Sequence, residues 1–159
     1  MEKSVEKLIE VYNSLEKESD DIYRNYALKI GCSQTELWVL YAISTFPSPC
    51  TQNDLCNSWY YSKQTIHTAV NSLLKSGYVI LAQISGEKKR KQLILTEAGK
   101  IFVENNINPL RQAEMNVFLS FSIEERNQFI TLFQRGMKAL RKEVDSIHIG
   151  NQVDHVDKK

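Results

Sequence analysis

Val5, Leu8, Tyr12, Leu15, Ile22, Tyr26 and Ile30 recur three, four or seven positions apart, with charged residues between them. That spacing brings them to one face of a helix, so the pattern predicts an amphipathic helix over residues 4–30 that ends at Gly31. Ser33-Gln-Thr-Glu36 has the form of a capping box, in which the serine and glutamate side chains satisfy the free amides of a helix start. It opens a second helix whose apolar surface comes from Leu37, Leu40 and Tyr41, with Trp38 as a further contributor. Phe46-Pro-Ser-Pro49 stops that helix, because proline lacks a backbone donor and drives its predecessor toward extended geometry. Thr51 then caps a short helix containing Leu55 and Cys56. Ser62, after Trp59-Tyr60-Tyr61, caps another that runs to about Ser76 before Gly77 ends it.

From Tyr78 the period becomes extended. Val79, Ile80, Leu81 and Ile84 form one strand candidate, and Leu93, Ile94 and Leu95 another. The polar, glycine-containing stretch Ser85-Gly-Glu-Lys-Lys-Arg-Lys91 between them implies a hairpin with four consecutive positive charges near its tip. Thr96 starts a further helix, which Asn105-Asn-Ile-Asn-Pro109 is expected to kink or interrupt. Ser122-Ile-Glu-Glu125 is a second capping box. Its helix presents Phe129, Leu132, Phe133, Met137, Leu140 and Val144, and Arg141 and Lys142 suit the negative end of its dipole. Beyond Ile149 the residues are polar, and a flexible tail over 150–159 is expected.

The resulting fold class is mostly α with a small β-hairpin. No apolar run approaches the roughly 18 residues a membrane helix needs, and residues 1–30 do not read as a signal peptide, so a cytoplasmic protein with no membrane partner is expected. Cys32, Cys50 and Cys56 are odd in number and match no common zinc or redox spacing, which makes free thiols the expectation. The formal charge of +1 hides an uneven distribution. Residues 51–96 hold six basic side chains against two acidic ones, a net of +4, while the rest of the chain holds 14 against 17, a net of −3. An anionic partner for the middle segment is therefore suggested.

Two short helices joined by a tight turn, the second starting at Ser62, make a helix-turn-helix pattern. On a helical wheel Ile66, Val70, Leu73 and Leu74 cluster on one side. Gln64, Thr68, Asn71 and Lys75 lie opposite, flanked by Thr65 and His67, while Ser62 and Lys63 protrude from the first turn. Such a face is common to solvated helices, but its chemistry also suits the major groove, where Gln and Asn pair with adenine and Ser, Thr or Lys hold phosphates. The hairpin bearing Lys88, Lys89, Arg90 and Lys91 follows at once and completes a winged helix-turn-helix, in which the wing reaches sugar-phosphate or an adjacent minor groove.

The order of elements, and residues 33–100 in particular, resembles the MarR family of bacterial regulators. Ser62-Lys-Gln-Thr65 followed by Leu73-Leu-Lys-Ser-Gly-Tyr-Val79 is similar to the family's recognition helix and the start of its wing. Leu93-Ile-Leu-Thr-Glu-Ala-Gly99 resembles the end of the wing and the opening of the next helix. The wing departs from the family's usual Asp-x-Arg: Glu87-Lys88-Lys89 stands there with Arg90 next to it, so the groove-entering residue is either Lys89 or Arg90.

The resemblance implies a single domain over 1–159, with residues 33–99 as the winged-helix DNA-binding lobe and 1–32 and 100–148 as dimerisation helices. It implies a homodimeric, sequence-specific regulator of transcription on double-stranded operator DNA, a repressor released by a small molecule or oxidant. The residues expected to meet DNA are then Ser62, Lys63, Gln64, Thr65, His67, Thr68 and Asn71 on the helix, with Lys88, Lys89, Arg90 and Lys91 on the wing. The long apolar stripes at both ends of the chain favour pairing independently, since they must bury each other or a partner.

Other readings have less support in the residues. No nucleophile with its base, metal set or cofactor motif is visible, so neither catalysis nor a cofactor is expected. His67 falls on the helix face, whereas His148 and His155 lie in or near the tail. Glu124-Glu125 reads as dipole complementarity in a first helical turn. A winged helix used only for protein contacts is the rival, distinguished by a failure to bind DNA. Trp38, Tyr41, Trp59, Tyr60 and Tyr61 are either an aromatic effector pocket or plain core. Cys32, beside Gly31 and Ser33, is either a thiol activated by a helix start or an inert small side chain.

Overall fold

A computed structural model of the chain describes residues 4–46, 49–59, 61–87 and 90–147. The chain divides into two compact units, Met1–Gln112 and Ala113–Lys159. The first holds α1 (Val5–Lys29), α2 (Gln34–Thr45), α3 (Gln52–Trp59), α4 (Lys63–Lys75), the strands β1 (Val79–Gln83) and β2 (Lys91–Leu95), and α5 (Glu97–Phe102). A π-helical turn (Val103–Ile107) joins α5 to α6 (Asn108–Leu119), within which the boundary between the units falls. The second unit contains the rest of α6 and α7 (Ile123–Asp145). Among the described residues no helix is long and apolar enough to cross a membrane. The segment 150–159, expected to be a flexible tail, lies outside the described residues.

The helix starts follow from local chemistry. Ser33 Oγ accepts from the Glu36 amide while the Glu36 carboxylate accepts from the Ser33 amide, and Ser122 and Glu125 repeat the arrangement at α7. The start of α3 is a third reciprocal pair. Asp54 Oδ2 accepts from the Thr51 amide and hydroxyl at 2.9 and 2.6 Å, and Thr51 Oγ1 accepts from the Asp54 amide at 3.3 Å. Gly31 and Gly77, just beyond α1 and α4, take φ of +79° and +73°, a conformation costly for any residue with a Cβ.

The core of the first unit gathers Leu37, Val39, Leu40 and Ala42 of α2, Leu55 of α3, Ile66, Ala69, Val70 and Leu73 of α4, and Val79 and Leu93 of the hairpin. Ala27 of α1 and Val103, Ile107 and Leu110 close it from the other side. Full burial of one such Leu or Ile side chain contributes about 1.5–3 kcal/mol relative to leaving it in water. Helices α2 and α3 both pack on α4, and this fixes which face of α4 points outward. The hairpin pairs Val79 with Leu95 through Gln83 with Lys91 in antiparallel register. Ile84, read as part of the first strand, lies one residue past it, though its amide still donates to the Arg90 carbonyl at 3.3 Å. The Leu93 amide donates to the Cys50 carbonyl at 2.8 Å, which ties the wing to the segment entering α3.

The interruption expected at Asn105–Pro109 takes the form of the π-helical turn, with helical backbone on both sides. Pro109 has no amide to offer the preceding turn, and a wider turn accommodates that loss. Two carbonyls find other donors. Tyr26 Oη donates to the Asn106 carbonyl at 2.7 Å, and Asn106 Nδ2 donates to the Phe102 carbonyl at 3.0 Å.

Candidate nucleic-acid interface

Ser62 caps α4 with its hydroxyl accepting from the Thr65 amide at 3.1 Å, so the helix begins where the chain turns away from α3. Ile66, Ala69, Val70 and Leu73 face the core, and Lys63, Gln64, His67 and Thr68 are exposed on the other side, with Thr65 and Asn71 half-buried at its margins. Leu74, read with the apolar face, is half-buried and packs against the core, and Ala69 joins that face.

The hydroxyls predicted to meet DNA are partly committed inward. Ser62 Oγ and Thr65 Oγ1 share a hydrogen bond of 2.7 Å, and Thr68 Oγ1 donates to the Gln64 carbonyl at 2.9 Å. A hydroxyl whose single proton is spent this way can only accept from a ligand. Whichever of Ser62 and Thr65 accepts in their shared bond keeps its own proton, and Lys63, Gln64, His67 and Asn71 add further outward donors. Asn71 Nδ2 and His67 Nε2 lie 2.9 Å apart, one helical turn separating them.

Two hollows flank this helix. One of about 470 Å³ lies between α3 and α4, lined by Gln52, Asn53, Cys56, Lys63, Gln64 and His67. The other, also about 470 Å³, lies between the start of α2 and α4 and is rich in hydroxyls from Ser33, Thr35, Ser62, Thr65, Thr68 and Ser72. Glu36 sits in the second. Burial works against its charge, but hydrogen bonds from Ser72 and Ser33 hold its carboxyl below the ordinary carboxylate range.

On the wing, Lys88 and Lys89 lie outside the described residues, whereas Arg90 and Lys91 are both exposed. Arg90 Nη1 donates to both carboxylate oxygens of Glu87 at 3.2 Å, a pairing across the loop that holds the guanidinium beside the strand. Arg90 and Lys91 share a smaller hollow of about 260 Å³ with Thr51, Gln52, Asn53 and Leu81. Gln52 and Asn53 thus stand between α4 and the wing, lining a hollow on each side. The sequence reading missed them. The signal available was the polar first turn Gln52-Asn-Asp54 directly after a cap, but only packing shows that two of these side chains point toward the wing.

The base of the wing is locked by Thr96. Its amide donates to the Tyr78 carbonyl at 3.0 Å, its hydroxyl donates to the Gly77 carbonyl at 2.6 Å, and Thr96 Oγ1 accepts from the Gly99 amide at 3.0 Å. A Cβ at Gly99 would collide with the Tyr78 carbonyl, which explains physically why a glycine closes Leu-Thr-Glu-Ala-Gly99.

Of the aromatic residues considered for an effector pocket, Trp38 packs between Tyr23 and Tyr41, at centroid distances of 4.7 and 5.6 Å. The Arg111 guanidinium lies 5.8 Å over the Tyr41 ring. Tyr61 packs against the core, Tyr60 lies outside the described residues, and nothing is described of the Trp59 side chain. Cys32 is not activated by its helix start. Burial and the nearby Glu36 push its thiol up to about 11, and burial with Asp54 does the same for Cys50. All three cysteines are free thiols.

A sequence model of the MarR family matches residues 30–91, from just before α2 to the first residue of β2. No curated protein matches the chain significantly. Solved structures match over most of its length. A MarR/EmrR family transcriptional regulator from Acinetobacter sp. ADP1 is 21% identical with a TM-score of 0.69, covering 92% of this chain and 100% of its own. NMB1585, a MarR family regulator from Neisseria meningitidis, is 17% identical with a TM-score of 0.71, covering 91% and 98%. MepR from S. aureus, solved in complex with DNA, is 17% identical with a TM-score of 0.69, covering 82% and 94%. Residues 30–91 carry the MarR family pattern, and the chain has the winged-helix fold of MarR-family transcription regulators.

Proposed function

We propose that the protein is a sequence-specific regulator of transcription that binds double-stranded operator DNA as a homodimer, with α4 in the major groove and the wing against the neighbouring backbone or minor groove. The observation that carries this is the outward face of α4. Lys63, Gln64, His67 and Asn71 project from a helix whose other face is buried, beside a wing that adds Arg90 and Lys91. The likeness to MepR, solved with DNA, supports the same placement. Among wing residues, Arg90 is the groove-entering side chain, with Glu87 orienting it. Pairing of two copies is supported by exposed apolar side chains on α1, among them Val5, Leu8, Ile9 and Leu15, and by those of α7. By family likeness the protein is a bacterial repressor released by a small molecule. The thiols of Cys32 and Cys50, held protonated, speak against either as the sensor of an oxidant.

Binding titrations on a selected operator, its single-base variants and random duplex, each at two salt concentrations, test this reading. Gln64→Ala is expected to cost about 1–3 kcal/mol on the operator and little on random DNA, because its amide reads a base edge. Replacing Lys88, Lys89, Arg90 and Lys91 together is expected to weaken both and flatten the salt dependence, since phosphate contacts release counterions without reading sequence. A folded dimer that binds no duplex at moderate salt would instead establish a winged helix for protein contacts.

A further inference from the structure

We propose that Gln52 and Asn53, at the start of α3, hold the sugar-phosphate strand that runs between the two grooves, as uncharged clamps that add affinity without reading sequence. The inference rests on the DNA-binding reading above and deepens it. One arrangement carries it: these are the two residues common to the hollow of about 470 Å³ beside α4 and the hollow of about 260 Å³ beside the wing.

A helix in the major groove and a wing in the neighbouring minor groove are separated on the duplex by one sugar-phosphate strand. Whatever the protein places between α4 and the wing therefore meets that strand. Gln52, half-buried, and Asn53, exposed, stand there. Lys63 lies beyond them on the α4 side, and Arg90 and Lys91 on the wing side, so each hollow also holds a cation. No carboxylate is among the described residues that line either hollow. Asp54, the acid of the same helical turn, is bonded back to the Thr51 amide and hydroxyl.

The chemistry of the two amides fits this position. Phosphate oxygens only accept, and each side-chain amide offers two hydrogens. Among the described residues neither Gln52 nor Asn53 has a side-chain hydrogen bond, whereas the hydroxyls of Ser62, Thr65 and Thr68 on α4 are engaged within the chain. An amide carries no charge, so its contact with phosphate displaces no counterion. Its loss then lowers affinity by the same factor at every salt concentration and on any sequence. That separates Gln52 and Asn53 from Gln64, whose loss is felt on the operator, and from the wing cations, whose loss changes the salt dependence.

The test titrates full-length wild type, the double variant Gln52→Ala with Asn53→Ala, and Asn53→Lys across a series of salt concentrations. Each is measured on a duplex enriched from a randomised library and on a random duplex of the same length. The double variant is expected to bind both duplexes about tenfold or more weakly, with the salt slope of wild type. Asn53→Lys is expected to steepen the slope on both duplexes by about one, because a cation set against the strand releases one more counterion. That gain cannot come from misfolding, so it decides the matter should the double variant fail to fold. Unchanged affinity in a folded double variant, a loss confined to the enriched duplex, or an unchanged slope in Asn53→Lys overturns the inference and leaves the DNA-binding reading standing. Failure of wild type to bind either duplex overturns both.

Discussion

Helices α4 and α7 are written in the same amphipathic code and meet opposite fates. In α4 the apolar face disappears: Ile66 and Val70 are 1% and 0% exposed against α2 and α3. In α7, nearly twice as long, no residue is buried, and Phe129 and Leu140 remain about half exposed at 50% and 52%. The rings of Phe118, Phe121, Phe129 and Phe133 touch one another within the second unit without leaving solvent. The difference teaches that an apolar stripe states a demand for burial and is silent about what meets it. For α4 the chain supplies the cover, so the stripe fixes the fold and leaves the polar side outward, where the proposed recognition takes place. For α7 no cover comes from its own unit, and the proposed homodimer would supply it, pairing of copies being the commonest solution.

The largest expected effect breaks that comparison at α7. Phe129→Ser combined with Phe133→Ser is expected to weaken self-association by more than about a thousandfold, because buried aromatic side chains dominate interface energies. Light scattering across a dilution series checks it, and a double variant that stays dimeric with unaltered DNA affinity would show that the stripe has no partner copy.

A smaller effect sharpens the contrast at the packed end. An added methyl at Gly136 of α7 meets nothing within 4 Å, whereas one at Gly99 is driven into the Tyr78 carbonyl. Gly99→Ala is therefore expected to cost about 3 kcal/mol, the upper part of the usual range for overpacking. Urea unfolding at fixed protein concentration measures this, and a loss below half that size would mean the base of the wing is looser than its three hydrogen bonds imply.

The smallest effect concerns the cap of α3. Hydrogen bonds from the Thr51 hydroxyl and amide lower the Asp54 carboxyl below its ordinary value against a modest opposing effect of burial, and Arg90 adds a favourable charge. A carboxyl lowered on folding contributes fully above its unfolded value, and that contribution disappears as pH falls through the folded one. Asp54→Ala is accordingly expected to cost about 1 kcal/mol at neutral pH, on the scale of helix caps, and progressively less toward acid. Unfolding curves for both proteins across the carboxylate range would detect it. A difference that grows on acidification contradicts the assigned sign.

The helix starts were legible in the residues alone, since Ser33, Thr51, Ser62, Thr96 and Ser122 each act on an amide no more than three positions away. The winged-helix order was legible for a related reason: the change from helical to alternating period at Tyr78 and the turn chemistry around Gly86 are properties of short segments. Features that depend on distant partners were not. The π-helical turn is completed by Tyr26, 80 positions from Asn106, so the sequence announced an interruption without its form. Gln52 and Asn53 became site candidates only when the hairpin folded back beside α3. Periodicity along a single chain determined that α4 and α7 each have an apolar face. Tertiary packing alone decided that the face of α4 is covered inside the first unit while that of α7 finds no cover inside the second, because burial depends on which surfaces meet and no local spacing encodes that.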